Sequence, residues 1–316
     1  DEKKITVRGV AQDPEGIYEI LVNGTEASIA DDGSFWAEIK LAPGENNVEV
    51  VVTDINDNQS SKKFKINRNA ADDSADPGAV KTSGMYYALM IGVNNYADPK
   101  INSLLKPVSD AEALKKTLIS YYNFDDNNIT FLKNPRRGDI LASLENLRKK
   151  ISPEDNLLIF YAGHGYWDED IKQGYWMPAD AEKSNRANWI SNGDLRDYLR
   201  AIKSQHTLLI SDACFSGGIF RTRAIADDAP SSIQELYNLP SRKGLTSGTL
   251  TEVSDESVFI KYLIKRLTEN KEKYLTAEDL YSAIRSAVIN NSKQVPQYGE
   301  IQEAGDEGGD FIFIKK

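Results

Sequence analysis

Asn156-Leu-Leu-Ile-Phe-Tyr-Ala-Gly-His-Gly165 decides how this chain folds. Leu157 to Tyr161 is a continuous apolar run, too short for a helix and long enough for a strand buried on both faces. A histidine set between glycines closes it. A second run of the same kind, Thr207 to Ile210, leads into Ser211-Asp-Ala-Cys-Phe-Ser-Gly-Gly218. Between the two, Asn192 to Ile202 reads as a helix, and strands that alternate with helices imply parallel crossovers.

The alternation continues outward. Tyr86 to Val93 reads as a strand with Gly92 near its end. Val108 to Ser120 is a helix carrying Val108, Ala111, Leu114 and Leu118 on one stripe, with Asp110 and Glu112 in its first turn. Ile129 to Leu132 is a strand, and Arg137 to Ile151 a helix through Ile140, Leu144 and Leu147. Helices at Ser257–Leu267 and Ala277–Val288 and a last strand, Asp310 to Ile314, complete the region. Residues 85–316 therefore read as an α/β domain, a mostly parallel sheet flanked by helices.

Upstream the texture changes. Ile5–Val10, Tyr18–Val22, Ser34–Leu41, Asn47–Thr53 and Ser61–Ile66 alternate apolar and polar residues. Turn signals separate them: Asn23-Gly24, Asp32-Gly33, Pro43-Gly44 and Asp57-Asn58. Residues 1–68 thus predict a small all-β sandwich, similar to the immunoglobulin-like modules of bacterial surface and secreted proteins. Residues 69–84, rich in Ala, Asp, Ser, Pro and Gly, read as a linker.

Composition narrows the function. At 316 residues the chain is long enough for two domains, and 40% hydrophobic against 27% charged residues is ordinary for globular protein. A net charge of −10 argues against nucleic acid and is compatible with basic peptides. No apolar run reaches the length of a membrane span. The opening Asp1-Glu-Lys-Lys4 does not read as a signal peptide, which is silent about the compartment. The one cysteine allows neither an internal disulfide nor a Cys-rich zinc site.

Both unusual loops fall beyond the carboxyl ends of strands, where open α/β sheets form their sites. A lone cysteine after a buried strand is ordinarily a packing residue, and a histidine between glycines ordinarily a turn. Together they change meaning, because a thiol needs a base and a histidine at a neighbouring strand end supplies one. His206 is the internal control. It lies eight positions before Cys214, and at about 3.3 Å per strand residue it sits at the opposite edge of the sheet. His164 remains as the candidate base.

Gly-His-Gly after one strand and Asp-x-Cys-x-Ser-Gly after the next core strand resemble the signature of caspase-like cysteine peptidases. The fifty residues between His164 and Cys214 match the caspase spacing. Ala88-Leu-Met-Ile-Gly92, Gly174-Tyr-Trp176, Lys243-Gly-Leu-Thr-Ser-Gly248, Gln297-Tyr-Gly299 and Gly308-Gly-Asp-Phe-Ile312 extend the likeness from Tyr86 to Lys316. It is closer to metacaspases and orthocaspases than to animal caspases. The resemblance implies a His164–Cys214 dyad, with Cys214 as nucleophile and the N–H groups of Gly165 and Cys214 holding the oxyanion. It also implies that Asp212, Asp110 and Ser247 line the pocket for the substrate side chain. Two carboxylates facing one cavity select Arg or Lys, although Asp110 reads equally well as a helix-start charge.

Other features carry two readings. Residues 219–242 form either a loop that the enzyme clips after Arg221 or Arg223, or an ordinary exposed connection. Some metacaspases require calcium, and Asp168-Glu169-Asp170 offers oxygens but lacks the spacing of a calcium loop. A solvated acidic turn is the plainer account, so no metal or other cofactor is expected. Trp167, Trp176 and Trp189 read as core or loop anchors. The expected protein is a monomeric endopeptidase acting on basic peptides, extracytoplasmic by analogy of its first module. The alternative is a caspase-fold scaffold with little turnover.

Overall fold

Parallel strands covered on both faces are buried along their length and carry near-continuous apolar runs. Tyr86–Gly92 (β1), Asn156–Ala162 (β3) and His206–Asp212 (β4) are such strands, with every residue buried around an apolar centre. They form the middle of a seven-stranded sheet with Ile129–Lys133 (β2), Phe220–Arg221 (β5), Ser241–Thr246 (β6) and Gln297–Ile301 (β7). The order is β5-β7-β6-β4-β3-β1-β2. Strands β2, β1, β3, β4 and β6 run parallel, while β7 and the two-residue β5 are antiparallel additions at one edge.

The computed structural model describes residues 4–14, 16–30, 32–42, 44–56, 58–68, 84–213, 220–221, 233–248 and 257–316. The chain divides into two units, residues 1–78 with 282–292 and residues 79–281 with 293–316.

In the larger unit the first three helices turn apolar stripes to the sheet. Helix α1 (Pro107–Tyr121) starts with proline at its first position, where no N–H is needed, and buries Ala111, Leu114 and Leu118. Helix α2 (Arg137–Lys150) buries Ile140, Leu144 and Leu147 and ends on Arg148, Lys149 and Lys150, which suit the negative end of its dipole. Helix α3 (Asn192–Ala201) opens with a reciprocal cap between Ser191 and Asp194. A short α4 (Ile233–Asn238), α5 (Val258–Glu269) and α6 (Ala277–Asn291) follow, with residues 282–291 of α6 assigned to the smaller unit. The stripes of α2 and α3 share a core with Leu89, Leu157, Ile159 and Leu209 of the sheet. Helices α1 and α5 pack against each other, with α1 on β1 and β3.

Two small sheets complete this unit. Gly165–Asp168, Gln173–Trp176 and Ile190–Ser191 form one, directly after the His164 loop. Tyr274–Thr276 pairs with Ile312–Ile314 in the other. The final strand is therefore shorter than the sequence pattern predicts and stands outside the main sheet. Asp310 does not extend it, because its carboxylate accepts the Tyr298 hydroxyl at 2.5 Å and the Glu278 N–H at 3.0 Å.

The smaller unit holds two antiparallel sheets, of three and four strands. Val7, Phe35 and Ile39 of one share a single core with Ile20, Val22, Val48 and Val50 of the other, the arrangement of a β-sandwich. Asn23 and Gly24 carry φ of 50° and 79° at the tip of a two-residue hairpin, as the Asn-Gly signal predicts.

Candidate active site

Register aligns the ends of the parallel strands. Gly92 pairs with Ala162, Ala162 with Asp212, and Ser211 with Thr246. Neighbouring strands lie about 4.8 Å apart, so one row of backbone carries everything that follows. His164 stands two residues beyond Ala162. Cys214 stands two residues beyond Asp212 in sequence, but it lies outside the described residues, as does Arg223.

Gly92 brings α1 to this row. A Cβ there would lie 2.6 Å from Val108 Cα and 2.7 Å from the Pro107 carbonyl oxygen, so only glycine admits the helix start so close. Asp110, one turn along, thereby comes under the influence of Asp212. Partial burial, with the Asp212 charge adding to it and Lys106 opposing, pushes the Asp110 carboxyl up to about 6. Asp212 is 4% exposed. Burial raises its pKa, while the hydroxyls of Ser257 and Ser247 act in the opposite direction. Ser247 does so without an ordinary hydrogen bond. Its Oγ, Thr246 Oγ1 and Asp212 Oδ1 are all buried with no hydrogen-bond partner among the described residues. Buried polar atoms in that condition are uncommon in folded proteins and call for an occupant or a function.

Ser257 was not anticipated from sequence. It caps α5 by accepting the Ile260 N–H at 3.2 Å, a pattern legible as a helix start but not as part of this cavity. Asp110 and Ser247, by contrast, both come within electrostatic reach of Asp212.

His164 is held on all sides. Its Nε2 meets the Asn102 carbonyl oxygen at 2.8 Å. A carbonyl only accepts, so Nε2 carries the proton and Nδ1 is left as the basic nitrogen. The His164 N–H donates to the Tyr96 hydroxyl at 2.8 Å, and the His164 carbonyl accepts from the Tyr161 hydroxyl at 2.7 Å. Tyr161 is stacked on Trp176 with centroids 4.3 Å apart, and Trp176 Nε1 donates to Ser211 Oγ at 3.3 Å. Trp176 and Trp189 are buried and Trp167 packs against the core, all three as anchors.

The next residue is Gly165, opposite Trp176 in the small sheet. The Met177 N–H donates to the His164 carbonyl at 3.1 Å. In an antiparallel ladder that bond makes Gly165 and Trp176 a pair that exchanges no hydrogen bonds, so the Gly165 N–H points away from its partner strand.

His206 lies at the start of β4, the far end from Asp212. Its Nδ1 meets Ser241 Oγ at 2.9 Å and its Nε2 the Tyr237 carbonyl at 3.0 Å. Burial lowers its pKa to about 4, so it is a neutral structural residue.

The acidic turn after the His164 loop is solvated at Glu169 and Asp170, both exposed, but not at Asp168. Asp168 is 8% exposed and pairs with Arg186 at 2.5 Å, while its other oxygen accepts the N–H groups of Asp170 and Ile171. Glu169 pairs with Lys172 at 2.7 Å. These residues do not fit a calcium loop, and no cluster of three or more His, Cys, Asp or Glu suited to a metal occurs among the described residues. The 219–242 segment is not wholly a loop either. Phe220–Arg221 pairs with Glu300–Ile301 as β5, and α4 occupies 233–238.

Residues 85–302 match the family profile described as Caspase domain, and residues 1–70 that of Glucodextranase, domain B. Metacaspase-6 of Arabidopsis thaliana is 27% identical over 205 residues, covering 58% of this chain and 52% of that protein. Metacaspase-4 of the same plant is 29% identical over 185 residues, covering 51% and 42%. The chain spans about half the length of the curated relatives it matches. Among solved structures, Caspase-1 from Spodoptera frugiperda superposes with a TM-score of 0.51 at 15% identity, covering 75% of this chain and 98% of that one. That likeness is one of fold.

Proposed function

The chain belongs to the caspase domain family of peptidases, and from that premise we propose that it is a cysteine endopeptidase that cuts after Arg or Lys. Cys214 is the nucleophile and His164 its base. His164 Nδ1 takes the thiol proton, the thiolate adds to the scissile carbonyl carbon, and the imidazolium returns the proton to the leaving amine. Water then hydrolyses the thioester. The Gly165 N–H, turned out of its ladder, and the Cys214 N–H are the donors for the oxyanion. The specificity rests on one observation. The Asp212 charge adds to the burial that raises the Asp110 carboxyl, beside the strand-end row that leads to His164, and Asp212 Oδ1 has no partner among the described residues. A guanidinium or ammonium would satisfy that pair, whereas an aspartate side chain would add a third negative charge.

Self-processing remains part of the proposal. Cleavage after Arg221 would require β5 to leave the sheet edge, so Arg223 is the better candidate bond. The test is hydrolysis of fluorogenic peptides ending in Arg, Lys or Asp, with and without calcium, beside Cys214→Ala and His164→Ala. Turnover of Arg and Lys peptides that vanishes in C214A, and falls about 10²- to 10⁴-fold in H164A, is the expected result. Preference for Asp would overturn the pocket assignment. No turnover under any condition would favour a scaffold.

A further inference from the structure

Tyrosine hydroxyls from two elements grip the backbone of His164 at both of its polar groups. Tyr96, in the loop after β1, accepts the His164 N–H at 2.8 Å and donates to the Val93 carbonyl at 3.3 Å. Tyr161, near the end of β3, donates to the His164 carbonyl at 2.7 Å and lies 3.1 Å from the Met177 carbonyl. Tyr161 is wholly buried in the core. Tyr96 is only partly buried, and its ring lies 5.0 Å from the imidazole, inclined at 44°. Gly163 shows how tightly the two hydroxyls close on this loop. A Cβ there would stand 2.9 Å from Tyr161 Oη and 3.2 Å from Tyr96 Oη.

An imidazole is placed by the backbone that carries it and by the bond that fixes its ring. The Asn102 carbonyl supplies the second constraint. The first comes from the two hydroxyls, and the Tyr96 ring also lies against the imidazole itself. We propose that Tyr96 is a positioning residue for the reaction, holding His164 in the attitude from which Nδ1 meets the Cys214 thiol. It would act through His164 rather than on the reacting atoms. The proposal rests on the reading of His164 as the base, and it deepens that reading by naming what aims it. Misplacing a catalytic group by an ångström costs up to about a hundredfold in rate.

The chain has one cysteine, so alkylation by iodoacetamide reports on Cys214 alone and needs no substrate. Tyr96→Phe keeps the ring and removes the hydroxyl. We expect kcat on an Arg peptide to fall about tenfold with KM little changed, and alkylation to slow by a similar factor while the thermal midpoint stays near that of the wild type. Tyr96→Ala, which removes the ring as well, should deepen both losses. Wild-type kcat and alkylation in Y96F would overturn the proposal. So would a loss that merely tracks the fraction of unfolded protein, since the role would then be structural. H164A separates this failure from that of the broader reading. If H164A hydrolyses and alkylates like wild type, the base assignment falls and the role of Tyr96 with it. If H164A is inactive and Y96F is normal, only Tyr96 falls.

Discussion

The carboxyl of Asp110, raised to about 6, makes a pH prediction about a single residue. Below that value it is neutral and the pocket holds one negative charge fewer, so kcat/KM on Arg peptides should decline as pH falls through 6. Asp110→Asn should show a lower plateau and a shallower decline, because the titrating group is gone. Parallel profiles for the two proteins would remove Asp110 from the pocket. Asp212→Asn should cost more, about a hundredfold in kcat/KM on Arg peptides, because Asp212 is the more buried of the two. At this scale the sequence was partly legible. His164, Cys214, Asp212 and Asp110 stand at strand or helix ends, where side-chain type announces chemistry. Asn102 could not have been found that way, because it acts through a carbonyl that every residue possesses. Tyr96 was hidden for a related reason, since its target is a backbone N–H.

Elements bring these residues together, and Gly92 is where that placement is most exposed to test. Gly92→Val would drive methyl groups into the Val108 backbone, so α1 must retreat from β1. We expect a loss of stability of about 1–3 kcal/mol, read as a lower urea midpoint. At a temperature where the variant is folded, hydrolysis of Arg peptides should suffer far more than iodoacetamide alkylation, because Asp110 moves with α1 while His164 is carried by β3. Equal losses would show that α1 does not set the pocket. The long strands and helices were readable because each repeats its apolar period several times. The small sheet from Gly165 to Ser191 was not, since strands of two to four residues are too short to show a period. The last strand was over-read at Asp310, whose apolar neighbours concealed that its carboxylate serves Tyr298 and the start of α6.

Over the whole molecule, a net charge of −10 surrounds a pocket that is itself acidic. Basic peptides should therefore be drawn in at long range, and kcat/KM should fall severalfold as salt rises from low to physiological strength, where the screening length shortens to about 8 Å. A salt-independent kcat/KM would confine the electrostatics to the pocket. The buried Asp212 carboxyl has a further consequence. Its pKa is raised in the folded chain, so its contribution to stability is full in acid and is lost as pH climbs from the ordinary carboxylate range through the folded value. A small guanidinium compound that enters the pocket reverses this, and its protective effect should grow as pH rises. Folding and binding are then two faces of one equilibrium, and the melting curve measured against pH, with and without such a compound, reads both.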